Sequence, residues 1–364
     1  MSRKLVALLL LALLTGALWL APKRQGEGAT TPLSGSGSGI TSSQATQPAD
    51  SLNAPTGDPA SCLPCHEAVV EEWRTSMHAQ AFTDPQVRAP DQSDNFRRTE
   101  CIPCHAPRPV FEYGIEAGTR VVARMQRRHD GVDCLSCHGL SGGGVAAERP
   151  GLTGACRPTF QEALSTPALC APCHNQHDTH EEWKASPAFQ AGNTCTECHM
   201  PRVLRVGQEA GAPRSGRSHA WPGGRDREFA LNGMSLQHEI VDDTLAVTLK
   251  NTFAGHNLPS DSRNRALDLV VTLYDVRGAQ LPPAEGVGVR HAGGENGTAR
   301  LRFRNPYRSS GEANTQLPAG KTATLEVPLP PEAARARIHI FYKLKPWAPD
   351  EEAHWSYDED ILLH

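Results

Sequence analysis

The motif C-x-x-C-H occurs five times between positions 62 and 199: Cys62-Leu-Pro-Cys65-His66, Cys101-Ile-Pro-Cys104-His105, Cys134-Leu-Ser-Cys137-His138, Cys170-Ala-Pro-Cys173-His174 and Cys195-Thr-Glu-Cys198-His199. With eleven cysteines and sixteen histidines in 364 residues, chance supplies only about 0.01 such motifs. At this spacing two thiols can add to the vinyl groups of haem while the adjacent imidazole takes an axial position on the iron. Zinc ribbons need two C-x-x-C pairs per metal, so an odd number strands one, and they have no use for a histidine after every second cysteine. A thioredoxin-like site shows one pair, and a disulfide framework does not repeat the histidine. The motifs therefore imply five covalently attached haem c groups, with the ten motif cysteines as attachment points and His66, His105, His138, His174 and His199 as proximal ligands.

Positions 62 to 199 supply roughly 28 residues per motif, too few to enclose each cofactor in its own apolar core. The porphyrins must then form much of the core, consistent with an aromatic content of 5%. Frequent Pro and Gly between motifs predict short helices and loops around stacked haems, with little or no sheet.

The chain opens with a basic Ser2-Arg3-Lys4 and a nearly unbroken apolar run from Leu5 to Ala21, the pattern of an export signal or an N-terminal membrane anchor. Haem attachment to such motifs occurs outside the cytoplasm, so the expected location is periplasmic or extracytoplasmic. Residues 22–58 are rich in Gly, Ser, Thr, Pro, Gln and Ala and read as a disordered linker. A net charge of −4 with scattered basic residues gives no case for nucleic acid. Redox partner proteins, such as a quinol oxidase-type donor or other cytochromes, are expected instead.

Eleven further histidines could close the sixth position of an iron. His78 falls on a predicted helix, Glu67 to Phe82, off its Val70, Trp73, Met77 stripe. A continuous helix would set it about 18 Å along the axis from His66, which suits a neighbouring haem better than the same one. His129 shares a spacing of four with Val121 and Met125 on a second predicted helix, whose other faces carry Arg120, Arg124, Arg127 and Arg128. Those arginines are either a solvated surface or partners of haem propionates. His177 and His180 lie too close to His174 to reach the same iron easily, and one of the two can serve an adjacent haem. An internal echo joins Glu71-Glu72-Trp73-Arg74-Thr75-Ser76 to Glu181-Glu182-Trp183-Lys184-Ala185-Ser186. It fails where Met77-His78 is replaced by Pro187-Ala188, so the second copy lacks that ligand.

The Glu-Glu-Trp-Arg-Thr-Ser-Met-His-Ala segment after the first motif, His129-Asp-Gly-Val-Asp-Cys-Leu-Ser-Cys-His138 and Cys195-Thr-Glu-Cys-His-Met-Pro resemble multihaem cytochromes related to the tetrahaem cytochrome c of ammonia oxidisers. That group is similar in haem packing to hydroxylamine oxidoreductase and the pentahaem nitrite reductases. The resemblance covers roughly residues 60–260. It implies distal ligands at His78 and His129 and adds His219, in Ser218-His-Ala-Trp-Pro-Gly-Gly224, and His256, in Ala254-Gly-His-Asn-Leu-Pro259. The C-x-x-C-K motif common in the nitrite reductases is absent here, and no tyrosine is identifiable as the cross-linking one of hydroxylamine oxidoreductase. Cys156, the odd cysteine, reads as a buried free thiol.

From about residue 230 the pattern turns to period-2 alternation. Leu245, Val247 and Leu249 form one such run, as do Leu267, Leu269, Val271 and Leu273, then Leu325, Val327 and Leu329, and Ile338, Ile340 and Tyr342. Turn signals separate these runs, and a C-terminal antiparallel β-sandwich is expected. The chain thus divides into a signal or anchor at 1–21, a linker at 22–58, a pentahaem cytochrome c domain at 59–229 and a β-sandwich at 230–364. The expected function is electron transfer along closely packed, mainly bis-His haems. The alternative is a multihaem oxidoreductase acting on a small nitrogen or sulfur compound at one five-coordinate haem.

Overall fold

The computed structural model describes residues 57–88, 101–205, 214–260, 263–282, 298–307 and 310–363, all within one compact unit, Ala49–His364. The apolar run Leu5 to Ala21 and nearly all of the 22–58 linker lie outside the described residues. Among those residues no helix is long and apolar enough to cross a membrane.

The N-terminal half is built from short helices, most of them attachment motifs. They are α1 (Leu63–Thr75), α2 (Ile102–His105), α3 (Cys134–His138), α4 (Ala171–His174), α5 (Thr179–Lys184), α6 (Pro187–Gln190) and α7 (Cys195–His199). Among the described residues, sheet there is confined to two small ladders. In one, β1 (Val145–Ala147) runs parallel to β2 (Pro158–Phe160); in the other, β3 (Arg202–Arg205) runs antiparallel to β4 (Arg214–Arg217).

Two expected helices take another form. The first ends at Thr75 instead of Phe82, because Ser76 turns extended (φ −79°, ψ 158°) and its buried hydroxyl accepts the Ala79 N–H at 3.2 Å. His78 therefore sits in a turn. The stretch expected as a helix through Val121, Met125 and His129 is mostly extended. Its backbone is taken up by the segment leaving the second motif: Arg124 N–H donates to Ala106 O at 2.7 Å, and Val122 O accepts Arg108 N–H at 2.8 Å. Val121 is buried but Met125 is 78% exposed, so the spacing of four does not build one face.

The short helix α8 (Arg227–Asn232), capped by the Asp226 carboxylate on Phe229 N–H, leads into two antiparallel sheets. One has the order β5 (Met234–Val241), β6 (Thr244–Asn251) and β9 (Thr322–Pro328); the other has β11 (Trp355–Leu362), β10 (Arg335–Lys343), β7 (Ala266–Tyr274) and β8 (Thr298–Phe303). Leu245 pairs with Val327 and Val247 with Leu325 in the first, and Leu269 with Ile340 and Val271 with Ile338 in the second. These side chains point into one shared apolar cluster that holds the alternating runs read from the sequence. Each fully buried Leu, Ile or Val there contributes about 1.5–3 kcal/mol.

The sheets are fastened to the motif region by polar contacts. Trp355 Nε1 donates to Gly224 O at 2.8 Å, Arg227 Nε to Ser356 O at 2.8 Å, and Arg225, whose carbonyl lies 3.1 Å from His354 Nε2, pairs in turn with the buried Asp84. Asn251, at the end of β6, donates to His256 O at 2.9 Å and Leu317 O at 3.0 Å, which seats the loop carrying His256.

Candidate haem-binding site

Each motif forms a single helical turn, started in one of two ways. Motifs one, two and four carry proline in the first turn (Pro64, Pro103, Pro172), where its fixed φ suits a helix start. Motifs three and five have capping boxes instead, Asp133 with Ser136 and Thr194 with Glu197. The histidine N–H of motifs one, two and four donates to the carbonyl of the first cysteine, at 2.9, 3.1 and 3.0 Å. That bond brings both thiols and the imidazole to one side of the turn, as attachment at two points plus axial ligation requires.

Thiols of different motifs meet. Cys62 lies within hydrogen-bonding reach of Cys134, Cys173 of Cys104, and Cys170 of Cys195. The Cys134 contact holds the Cys62 thiol down to about 7, and the Cys170 contact does the same for Cys195. Motif one thus adjoins motif three, and motif four adjoins both two and five.

Among the described residues, three proximal imidazoles face a histidine from a distant segment. Ring centres lie 6.1 Å apart for His174 and His78, 6.3 Å for His138 and His219, and 6.2 Å for His199 and His256. Two imidazoles on opposite sides of one iron, each with a metal–nitrogen bond of about 2.0 Å and a ring centre roughly 1.1 Å behind that nitrogen, stand about 6.2 Å apart. The residues therefore fit the group. Four of these rings present Nδ1 to a backbone carbonyl: His138 to Ala146 (2.9 Å), His199 to Pro222 (2.7 Å), His219 to Arg217 (2.9 Å) and His256 to Asn257 (3.0 Å). With Nδ1–H donating, Nε2 is the nitrogen left able to ligate a metal. Burial, reinforced by neighbouring imidazoles, pushes His78 down to about 3 and His199 and His219 to about 4. The rings are thus neutral at pH 7, the state a metal needs.

Trp221 joins two of these pairs, meeting His78 edge-on at 4.5 Å and His219 at 5.0 Å. Its place inside the Ser218–Gly224 segment was visible in the sequence, but nothing there marked it as the wedge between two histidine pairs.

The other histidine candidates are placed differently. His129, expected on a buried helical face, sits in a 3-10 turn (Arg128–Asp130) with its side chain 73% exposed and Nε2 3.1 Å from Asp130. His180 is buried against Trp183, ring centres 5.5 Å apart, and His177 is half-buried; neither belongs to the three pairs. Of the four arginines around His129, Arg120 is exposed, while two are drawn inward. Arg124 and Arg127 turn inward onto buried Asp133, at 2.9 and 3.3 Å, and Arg124 also donates to the carbonyls of Arg127 and Gly131. They brace the cap of motif three. Cys156 is a free thiol but only half-buried.

The turn carrying His78 is held by a close backbone approach. Val132 N–H donates to His78 O at 2.8 Å, and Gly131 (φ 62°) lies so near that a Cβ there would stand 2.3 Å from that oxygen. Gly131→Ala is expected to displace residues 78–79 and destabilise the protein by more than about 1 kcal/mol. An unchanged urea midpoint would contradict this packing.

Residues 61–139, which hold the first three motifs, match the family model for cytochrome c554 and c-prime. The whole fold is similar to a penta-heme cytochrome c552 from Thermochromatium tepidum, with a TM-score of 0.57 at 19% identity, covering 82% of this chain and 97% of that one. No curated protein matches the chain. The fold is that of a multihaem cytochrome c, and the attachment motifs, three of them inside the matched span, support covalently bound haem c.

Proposed function

We propose that the chain is a pentahaem c-type cytochrome of the periplasm or another extracytoplasmic compartment, carrying electrons along closely packed, mainly bis-histidine haems. The observation that carries this reading is the set of three imidazole pairs at 6.1–6.3 Å. Bound at such motifs, haem supplies a one-electron carrier whose potential follows its axial ligands, burial and neighbouring hydrogen bonds. The chain's own residues orient those ligands through backbone carbonyls, keep them neutral by burial, and hold the motifs in contact. Motif one adjoins three, two adjoins four and four adjoins five, while Trp221 bridges the histidine pairs of motifs three and four. A continuous network of this kind, branching at motif four, suits carriage between distant surface points. The resemblance of the motif segments to the cytochrome of ammonia oxidisers supports a relay role.

In this reading His66 and His105 ligate the first two haems, with His129 and one of His177 and His180 as distal candidates. The two C-terminal sheets pack as a sandwich that presents His256. The apolar run at 5–21 directs export and can tether the protein to the membrane. Its partners are other redox proteins, a quinol oxidase-type donor or further cytochromes.

A second reading, an oxidoreductase acting on a small nitrogen or sulfur compound at one five-coordinate haem, is favoured by the exposed, Asp130-paired state of His129. Electron paramagnetic resonance of the oxidised protein separates the two when carbon monoxide is added to the reduced form. The relay predicts low-spin signals and no carbon monoxide adduct. A high-spin ferric signal with carbon monoxide bound at one haem would put the oxidoreductase first.

A further inference from the structure

The echo between Glu72-Trp73 and Glu182-Trp183 has a structural counterpart that reaches four distant segments. On α1, Trp73 Nε1 donates to Val132 O at 2.8 Å, two residues ahead of Cys134; on α5, Trp183 Nε1 donates to Asn193 O at 3.0 Å, two residues ahead of Cys195. The preceding glutamate points elsewhere, since neighbours on a helix are about 100° apart. Glu72 Oε2 accepts the His219 N–H at 2.8 Å, and Glu182 Oε2 accepts the N–H of Asn257, the residue after His256, at 3.2 Å. Each Glu-Trp pair therefore holds both sides of one gap. The tryptophan secures the proximal motif loop, and the glutamate secures the loop with the opposing imidazole, across His138–His219 in one copy and His199–His256 in the other.

The surrounding contacts repeat as well. Cys62 meets Cys134 as Cys170 meets Cys195, and both second motifs have capping boxes. Buried Ser76 and Ser186 each accept a backbone N–H three residues on, at 3.2 and 3.3 Å. The first copy adds Arg205, which forks onto Glu72 at 3.0 and 2.7 Å and donates to Arg217 O, the carbonyl that also meets His219 Nδ1.

We propose that Glu72 and Glu182 are positioning residues that set how firmly His219 and His256 hold their irons, within a clamp built twice in the chain. One copy uses motifs one and three, the other motifs four and five. The inference rests on the reading of those two histidines as axial ligands. A carboxylate that accepts a backbone N–H beside the ligand fixes the loop without touching the ring. Loss of such outer partners costs about 10- to 100-fold in metal–ligand affinity.

Cyanide titration of the oxidised holoprotein, followed by electron paramagnetic resonance, tests this. In E72A cyanide should displace a ligand at one haem with an affinity about 10- to 100-fold above wild type, and in E182A at a different haem, the effects adding in the double variant. E72Q and E182Q should recover most of the wild-type behaviour, because the amide oxygen still accepts the N–H. H219M and H256M report on the ligands independently, each giving a methionine–iron charge-transfer band at one haem. If those bands appear while E72A and E182A change only thermal stability, with cyanide affinity untouched, the clamp is wrong. If H219M and H256M leave the spectrum unaltered, the ligand reading fails and the clamp falls with it.

Discussion

Replacing Cys170 and Cys173 with serine is expected to remove one covalent haem and disorganise most of the chain between residues 101 and 199, a far larger effect than the same double change at Cys62 and Cys65. The difference follows from what each motif touches. Cys170 meets Cys195, Cys173 meets Cys104, and His174 faces His78, so motif four borders two other attachment sites and anchors the turn after α1. Cys62 meets Cys134 alone among the described motif thiols. On the proposed reading the cofactors stand in for an apolar core, so loss of the central one should remove the packing surface of its neighbours. Haem-to-protein ratio by pyridine haemochrome, with limited proteolysis, reads both consequences. The first-motif variant should lose one haem and stay resistant; the fourth-motif variant should lose resistance within residues 101–199. Equal resistance in the two would show that motif four is not the hub.

Motif chemistry was legible in the sequence because C-x-x-C-H is local: five residues in one turn carry the whole signal. The alternating strands β6, β7, β9 and β10 were legible for the same reason, each with an apolar face of its own. Strands β8 and β11 were not: the run Ala299, Leu301 and Phe303 on β8 is short, and on β11 Glu359 interrupts the face shared by Trp355, Tyr357 and Ile361. His78, His219 and His256 could be nominated as ligands, but which motif each one faces depends on contacts across tens of residues that no spacing encodes. Around His129 local reasoning misled. A spacing of four fits a helix, yet Arg124 and Val122 had already committed their backbone groups to the segment leaving motif two, and tertiary pairing overrode the periodicity. Arg124 and Arg127 show the same limit, because their partner Asp133 becomes visible only once motif three is folded.

Asp268→Ala is expected to destabilise the C-terminal sheets by about 3–5 kcal/mol, the cost of removing one partner from a buried ion network. Asp268 on β7 is fully buried and accepts from Arg302 Nε and Nη2, both at 2.6 Å, and from Arg300 Nη1 at 2.6 Å, with Lys343 Nζ 3.6 Å away. Its loss leaves three buried cations to Asp350 alone, which accepts from Arg300 at 2.6 Å and Lys343 at 2.7 Å. The network also gives the sheets an acid limit. Burial alone would raise the Asp350 carboxyl, but the hydrogen bonds and charges of Arg300 and Lys343 outweigh it and hold the group below its ordinary 3.8. A depressed folded-state pKa contributes stability above the unfolded value that is lost as pH falls through the folded one, so this contribution should begin to fall away below about pH 4. Urea unfolding by far-ultraviolet circular dichroism at pH 7 and pH 3 measures both effects. Because Asn251 seats the His256 loop from β6, the Asp268→Ala variant should also show a high-spin signal from the haem of motif five as the sheets loosen, while the His138–His219 pair, held by α1 and the 217–221 loop, stays low-spin. A stability change under about 1 kcal/mol would mean that the arginines re-pair without Asp268, and the buried network would then not be what holds this sheet face together.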